Sequence, residues 1–227
     1  MATVKQAEAS QARWTVWLRI QRDGRRFSEH RVVVPANSYV IDAIERVFAL
    51  PGERLLWRHA CHHASCGSCG LRINGVEKLP CITPLSDYDL RQPLVLMPLS
   101  HLPRVGDLVV DFAPFFARMQ AVGMPLLRQD ETAPPEAGLQ RFESCIECGL
   151  CVSACPAMRN PRFLGPAALA AAERLLEEPR GADVETVLRT VDHPDGIWAC
   201  RSAHQCTAVC PMGVDPAGAI MRLRQRL

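Results

Sequence analysis

Cysteine is the residue type with the clearest capacity for chemistry in this chain, and its eleven copies fall into three groups separated by long stretches. The groups are Cys61, Cys66, Cys69 and Cys81; Cys145, Cys148, Cys151 and Cys155; and Cys200, Cys206 and Cys210. An odd count excludes a fully paired disulfide framework. Thiols clustered at gaps of a few residues favour thiolates that bind metal. The sequence therefore predicts metal centres.

The first group has the spacing C-x4-C-x2-C-x11-C, which is the plant-type pattern for a [2Fe–2S] cluster. Gly67 and Gly70 bracket Cys69, and glycine permits a tight backbone whose amides can donate to cluster sulfurs. Structural zinc is the alternative, but this spacing with bracketing glycines matches common zinc sites poorly. We expect one [2Fe–2S] cluster on Cys61, Cys66, Cys69 and Cys81.

The second group is a C-x2-C-x2-C-x3-C-P run of the bacterial ferredoxin type, in which the fourth cysteine ligates a different cluster from the first three. Cys155 is therefore assigned to a neighbouring cluster, and Cys210, which precedes Pro211, is expected to take its place. The predicted [4Fe–4S] ligands are Cys145, Cys148, Cys151 and Cys210.

The third cluster then has only three thiolates, from Cys155, Cys200 and Cys206. Ala203 lies midway between Cys200 and Cys206, where a fourth ligand for a four-iron cluster would be expected. Because alanine cannot bind iron, the sequence favours a [3Fe–4S] cluster. Ordinary buried cysteines are the alternative for this group taken alone.

Three other features have plain structural interpretations beside functional ones. The histidines of the first cysteine loop are interpreted as exposed loop residues, with an effect on redox potential as the alternative: His62 and His63. The basic tail is interpreted as a solvated helix face, with lipid headgroup contact as the alternative: Arg222, Arg224 and Arg226. An aromatic cluster could pack between domains or contact a partner: Phe112, Phe115 and Phe116.

Bulk composition bounds the class of protein. The 227 residues are 48% hydrophobic and 22% charged, with a net charge of +2, which offers no electrostatic case for nucleic-acid binding. No apolar run approaches the roughly 18 residues of a membrane-spanning helix. Residues 1–13 are polar and do not form a secretory signal. We expect either a bacterial cytoplasmic setting, whose reducing conditions keep thiols available for iron, or a mature form of the protein.

The first half of the chain has the element order of a β-grasp fold. Alternating apolar residues predict strands at 14–21 and 30–34, and apolar residues at helical spacing predict a helix over 38–50, capped by Asn37 or Ser38. The cysteine loop at 58–70 follows. Short strands are then predicted at 70–73, 76–80 and 94–97.

The second half is predicted to be helical. Helices are expected over 166–178, 183–191 and 215–226, the last with Pro216 in its first turn. A region rich in proline and glycine, 120–140, is expected to be a linker around a short helix. The predicted α+β fold is therefore an N-terminal [2Fe–2S] β-grasp domain over 1–119 and an all-α ferredoxin domain with two cubane-type clusters over 141–227.

The chain resembles the iron–sulfur subunits of succinate dehydrogenase and fumarate reductase from about residue 14 to 226. Three cluster motifs in this order, with a Gly-Pro-Ala helix start between them, make the resemblance specific. It rests on the stretches 58–70, 79–84, 107–111, 145–156, 160–168 and 206–215.

The resemblance implies an electron relay. A partner flavoprotein with covalent FAD oxidises succinate or reduces fumarate, and electrons pass through [2Fe–2S], [4Fe–4S] and [3Fe–4S] clusters to quinone beside a membrane-anchor subunit. This chain would hold no dicarboxylate site and would lie peripherally on the cytoplasmic face of the bacterial inner membrane. The expected quinone-binding residues are Pro156, Arg159 and Arg201.

Two departures from the family pattern leave the acceptor open. The loop after Cys155-Pro156 is short and lacks the tryptophan common in the family, and Arg201 stands where histidine is frequent. The alternative is therefore an electron-transfer module for another flavin dehydrogenase with a non-quinone acceptor. A zinc-stabilised interaction protein is a more remote alternative.

Overall fold

A computed structural model of the protein describes residues 12–124, 144–177 and 183–227. Its first half contains a five-stranded sheet in the order β2-β1-β5-β3-β4, in which β1 runs antiparallel to β2 and parallel to β5. Helix α1 lies between β2 and β3 in the chain. The strands and helix are β1 Arg13–Gln21, β2 Phe27–Pro35, α1 Val40–Phe48, β3 Leu71–Ile73, β4 Val76–Lys78 and β5 Leu94–Met97. The predicted β-grasp order is confirmed.

Alternation along β1 creates the core of this half. Val16, Leu18 and Ile20 are fully buried, and they share a hydrophobic cluster with Ile44 and Val47 of α1. Successive side chains of a strand point to opposite faces, so the residues between them face outward. Burying one face of β1 against α1 fixes the position of the cysteine loop that follows the helix.

The cap predicted for α1 is wrong by one or two residues. Tyr39 is the N-cap, and its backbone N–H donates to the Asp42 carboxylate at 2.7 Å. Asn37 instead has a left-handed backbone with φ of 65°. The Asp42 carboxylate in the first turn thus accepts a hydrogen bond from a backbone N–H that has no partner within the helix. A small polar N-cap residue is therefore not needed.

Three features of the first half were not predicted. Strand β4 ends at Lys78 because Pro80, which has no N–H for the sheet, begins a 3-10 turn over Pro80–Ile82. A two-stranded ribbon follows, formed by β6 Arg104–Gly106 and β7 Val109–Val110. Helix α2 then spans Ala113–Ala121, so the predicted domain boundary at residue 119 falls inside a helix. The rest of the predicted linker, from 125 onward, lies outside the described residues.

The described second half contains helices and turns. Its helices are α3 Leu150–Ala154, α4 Pro166–Leu176, α5 Val184–Val191, α6 Gln205–Ala208 and α7 Pro216–Arg224. Helices α4, α5 and α7 were predicted to within two residues at the described ends. Helix α4 is buried along almost its whole length, and its Glu173, which is 1% exposed, is paired with Arg222 of α7 at 2.7 Å.

The two halves share one core. A single cluster of buried residues joins Ile41 and Leu79 of the first half to Phe115, Leu150 and Leu169. The interface between the halves is therefore packed like a protein interior. The cysteine loops of both halves lie against this shared core.

Candidate metal centres

The first cysteine loop directs backbone amides at the Cys61 sulfur. Cys61 Sγ accepts from the N–H groups of Ser65 at 3.2 Å, Cys66 at 3.3 Å and His63 at 3.5 Å. Left-handed backbone at His62 and Ala64 winds the loop tightly enough for this. The amide of His63 is the largest cause that lowers the pKa of the Cys61 thiol to about 7. Hydrogen bonds to the charged form favour the thiolate.

The other half of this loop is buried. Cys69 and Cys81 are 3% and 4% exposed, and their sulfurs are 3.6 Å apart, whereas Cys66 is exposed. Two thiolates on one tetrahedral ion, each about 2.3 Å from it, would be about 3.8 Å apart. The observed pair therefore fits two ligands of one metal. Burial raises the pKa of Cys69 to about 12, so its ionisation needs a positive neighbour.

The second cysteine site is a cavity lined by four thiols from two distant segments of the chain. They are Cys145, Cys148, Cys151 and Cys210. The rest of the wall is mostly apolar and includes Phe115, Leu150 and Val214. Burial raises the pKa of Cys148 to about 11 and that of Cys151 well above its ordinary value. A water-excluding pocket with four thiols suits a cluster whose iron charge stabilises thiolates.

The third cysteine site is also a cavity, which is called the third cavity below. It is lined by the remaining three thiols, Cys155, Cys200 and Cys206. Ala203 is also part of its wall, between left-handed Ser202 and His204. The structure thus brings together the predicted set of three thiols, with a methyl group where a fourth ligand was expected. All eleven cysteines are free thiols, so each is available to a metal.

The three residues predicted to bind quinone do not all lie together. Pro156 and Arg201 line the third cavity. Arg159 is exposed, lies outside that lining, and is close enough to His101 for its charge to lower the pKa of the imidazole, after burial, which is the larger cause. Arg159 therefore lies near His101 of the first half of the chain.

Sequence reasoning missed the contact between the first and second cysteine loops. A Cβ on Gly67 would lie 2.5 Å from the Ile146 carbonyl oxygen and 3.0 Å from Cys148 Cα. A Cβ on Gly70 would lie 3.2 Å from the Cys148 carbonyl oxygen. These glycines were interpreted as loop residues that free amides. They also permit direct backbone contact between two metal-site loops.

The arginines of the basic tail are partly exposed, as a solvated helix face requires, but each also has a partner within the chain. Arg224 donates to the Cys200 carbonyl at 2.6 Å and the Ile197 carbonyl at 3.0 Å. Arg222 pairs with Glu173, and Arg226 pairs with Glu177 at 3.2 Å. The arginines thus join α7 to α4 and to the loop that carries Cys200. Their spacing on a helix gave no signal of these partners.

The predicted aromatic cluster and the histidines of the first cysteine loop can now be assigned to the core or to the surface. Phe115 is buried in the shared core and Phe112 packs against Gly149, whereas Phe116 is 41% exposed. Core packing is therefore the correct interpretation for the first two. The prediction that His62 and His63 are exposed loop residues is confirmed, and His62 Nε2 also lies 3.1 Å from the Glu45 carboxylate.

A buried polar bridge, which no sequence pattern predicted, joins the two halves of the chain. Ser153, between Cys151 and Cys155, donates to Glu77 of β4 at 2.7 Å and accepts from the Ser100 N–H at 2.7 Å. Ser153 and Glu77 are both buried. The bridge holds α3 and its cysteines against the sheet domain.

Comparison with known proteins assigns the two halves of the chain to iron–sulfur families. Residues 15–117 match the family described as "2Fe-2S iron-sulfur cluster binding domain" and residues 141–214 the "4Fe-4S dicluster domain". The fumarate reductase iron-sulfur subunit of Mycobacterium tuberculosis is 38% identical over 213 residues, 87% of this chain and 84% of that protein. The chain belongs to the family of fumarate reductase and succinate dehydrogenase iron–sulfur subunits.

Other members of this family are similar over most of their length. The succinate dehydrogenase iron-sulfur subunit of Coxiella burnetii is 35% identical over 181 residues, 75% of this chain and 76% of that one. A chain of the Mycobacterium smegmatis Sdh1 complex in the apo form superposes with a TM-score of 0.82 at 25% identity, covering 95% of this chain and 96% of its own.

Membership of this family establishes the function in outline. The protein is an electron-transfer subunit of a multi-subunit oxidoreductase of the succinate dehydrogenase and fumarate reductase type, with a [2Fe–2S] domain and a [4Fe–4S] dicluster domain. It is not itself the dicarboxylate site. Among residues 12–124, 144–177 and 183–227, no helix has the length and apolar character needed to cross a bilayer.

Proposed function

We propose that the three groups of thiols hold three clusters of different type. The [2Fe–2S] ligands are Cys61, Cys66, Cys69 and Cys81. The [4Fe–4S] ligands are Cys145, Cys148, Cys151 and Cys210. The [3Fe–4S] ligands are Cys155, Cys200 and Cys206. The observation that carries the proposal is that two separate cavities are lined by these latter sets of four and three thiols, drawn from distant segments.

When bound, such clusters supply one-electron redox chemistry. The chain's own residues hold and tune them. The loop amides donate to Cys61, and burial of Cys69, Cys148 and Cys151 excludes water from the sites. Hydrogen bonds to cluster sulfurs and solvent exclusion are the main means by which a protein sets cluster potential.

The sites form a series along the molecule. The Gly67 loop touches the Cys148 loop, and the exchange of Cys155 and Cys210 interleaves the second and third sites. The two ends of the series belong to two partners: a flavoprotein subunit with covalent FAD, which acts on succinate or fumarate, and a membrane-anchor subunit with quinone. The chain is then peripheral, on the cytoplasmic face of the inner membrane.

Quinone is assigned to the neighbourhood of the third site. Pro156 and Arg201 line that cavity, and the Arg201 guanidinium can donate to a quinone oxygen. Arg159, which is exposed beside His101 at the end of the 3-10 turn that begins at Pro156, is the third residue assigned to quinone.

One observation favours a non-quinone acceptor as the second candidate. Ala157 and Met158, which follow Pro156, are buried, so the 3-10 turn Pro156–Arg159 presents little apolar surface to a quinone ring. On that alternative the chain serves another flavin dehydrogenase and passes electrons to a soluble acceptor.

The complex purified from its host distinguishes the two. Co-purification of a covalent-flavin subunit and a membrane anchor, with succinate-dependent quinone reduction, supports the main proposal. Cys206→Ala should abolish quinone reduction but leave the [2Fe–2S] signal in electron paramagnetic resonance (EPR), whereas Ala208→Ser on the exposed side of α6 should change neither. Activity with a soluble acceptor alone, in a preparation without an anchor, supports the alternative.

A further inference from the structure

Three metal-binding side chains that the cysteine sites do not use meet beside the first cysteine loop. They are Glu45 of α1, His59 before the loop and His62 within it. His62 Nε2 lies 3.1 Å from Glu45 Oε1, His59 Nδ1 lies 3.5 Å from the same oxygen, and the two ring nitrogens are 3.1 Å apart. Each donor atom is therefore within 3.5 Å of both others.

Ring hydrogens alone cannot place a hydrogen bond along all three sides of this triangle. If the His62 Nε2–H is shared between Glu45 and His59 Nδ1, the lone pair of His59 Nδ1 faces the carboxylate oxygen at 3.5 Å. If His59 donates to His62 Nε2, that nitrogen has no hydrogen left for the ionised Glu45 carboxylate. If both rings donate to Glu45, two N–H groups are left facing the same oxygen with their nitrogens 3.1 Å apart. One cation at the centre, by contrast, accepts a lone pair from all three atoms at once.

The size of the triangle matches one face of a tetrahedral zinc site. Bonds of about 2.0–2.1 Å to Zn²⁺ place neighbouring ligand atoms about 3.3–3.4 Å apart. The observed sides of 3.1, 3.1 and 3.5 Å lie around this value. Two histidines with one glutamate are a known zinc ligand set that leaves a fourth position open.

The surroundings hold the ligands and leave that fourth position accessible. The indole of Trp57 stacks on the His59 ring with centroids 4.4 Å apart, which fixes the ring plane. Helix α1 fixes the backbone of Glu45. The side chains of His59, Glu45 and His62 are 27%, 35% and 43% exposed, so water can reach the open position.

We propose that Glu45, His59 and His62 bind one borderline divalent cation, with Zn²⁺ the best match, and water as the fourth ligand. The site is separate from the thiol ligands, although His62 directly follows Cys61. A bound cation would place a fixed positive charge beside the first cysteine loop. The proposal does not depend on which clusters the cysteines hold.

The test measures zinc uptake by the iron-loaded protein in its complex. Wild type should take up one more equivalent of Zn²⁺ than the variants Glu45→Gln and His59→Asn, with binding weakened at least about tenfold by either change. His63→Asn, in the same loop but outside the triangle, is the matched control and should bind like wild type. Glu45→Gln lies on α1, outside the loop, so it answers the question if His59→Asn fails to fold.

X-ray absorption at the zinc edge then identifies the ligands. The proposal predicts a nitrogen and oxygen shell at about 2.0–2.2 Å, with iron content and visible absorbance unchanged. A sulfur shell at about 2.3 Å would mean that zinc had entered the cysteine sites and would overturn the proposal. Equal uptake by wild type and Glu45→Gln would overturn it as well.

Discussion

The backbone of Gly67 packs directly against that of Cys148, so the loops of two predicted cluster sites touch without an intervening side chain. The position leaves no room for a Cβ, which would lie 3.0 Å from Cys148 Cα and 2.5 Å from the Ile146 carbonyl oxygen. Because both loops belong to the shared core, their separation is set by this contact. Gly67 therefore permits the two cysteine loops to pack against each other, in addition to any role within its own loop.

Gly67→Ala should push the two loops apart. The left-handed backbone, with φ of +66°, costs about 1–2 kcal/mol for a residue with a Cβ, and the clash adds to it. We expect a lower unfolding midpoint and slower reduction of the helical domain's clusters by succinate, measured by rapid-freeze EPR. Gly75→Ala is the matched control, since its φ is +85° and nothing lies within 4 Å of the added Cβ. Equal effects of both variants would mean that the loop contact is unimportant.

Ser153→Ala should weaken the connection between the sheet and the helical half. It leaves the buried Glu77 carboxylate and the Ser100 N–H without their partner, at a cost of about 1–3 kcal/mol. For a chain of this size, Tm should fall by roughly 2–12 °C. Ser86→Ala, at an exposed position, should leave Tm unchanged. A Tm for Ser153→Ala equal to that of wild type would show that the bridge does not stabilise the fold.

Arg224→Gln should loosen the third cysteine site selectively. The guanidinium donates to the carbonyls of both Ile197 and Cys200, and glutamine is too short to replace both bonds. We expect loss or broadening of the EPR signal of the third cluster, with the [2Fe–2S] signal intact. Arg226→Gln removes the same charge but breaks only an exposed ion pair with Glu177. The EPR signals of the third cluster and of the [2Fe–2S] cluster should both remain in this variant. Loss of the third signal in both variants would point to net charge rather than position.

Asp215 should make stability depend on pH in the acid range. The Thr207 hydroxyl, followed by the Gly218 N–H, lowers the pKa of this N-cap carboxyl below 3.8. Its contribution is therefore complete above 3.8 and is lost as the pH falls through the lower folded value. Asp215→Asn, which can still cap α7, should be destabilised by about 1 kcal/mol or less at neutral pH.

Thermal unfolding of wild type and Asp215→Asn, followed by far-ultraviolet circular dichroism, measures this dependence. The difference between their midpoints should stay constant from neutral pH to about pH 5 and shrink below the unfolded pKa. A difference that grew with acidity would contradict the assignment.

Local patterns predicted the parts of the fold that depend on neighbours in sequence. Alternating apolar residues predicted β1, and helical propensity that begins at Asp215-Pro216 predicted α7. The ribbon β6–β7 was missed because its strands have only three and two residues, too few for a period to be visible. Asn37 was chosen as a cap by residue type, although the Asp42 carboxylate satisfies the first free amide of α1.

The cysteine groups could be partitioned because metal-site spacing is itself a local pattern. The residues that support them could not. Arg224 contacts Cys200, and Ser153 contacts Glu77, across 24 and 76 positions of the chain. No spacing rule connects such pairs, because they meet only when α7 packs on the Cys200 loop and α3 packs on β4.

Low-temperature EPR of the anaerobically purified complex tests the ligand assignment most directly. Because Ala203 stands in place of a fourth ligand, we expect a three-iron signal from the third site in the oxidised protein, and a [2Fe–2S] signal that appears on reduction. A third site that is silent when oxidised and gives a four-iron signal only on reduction would contradict it.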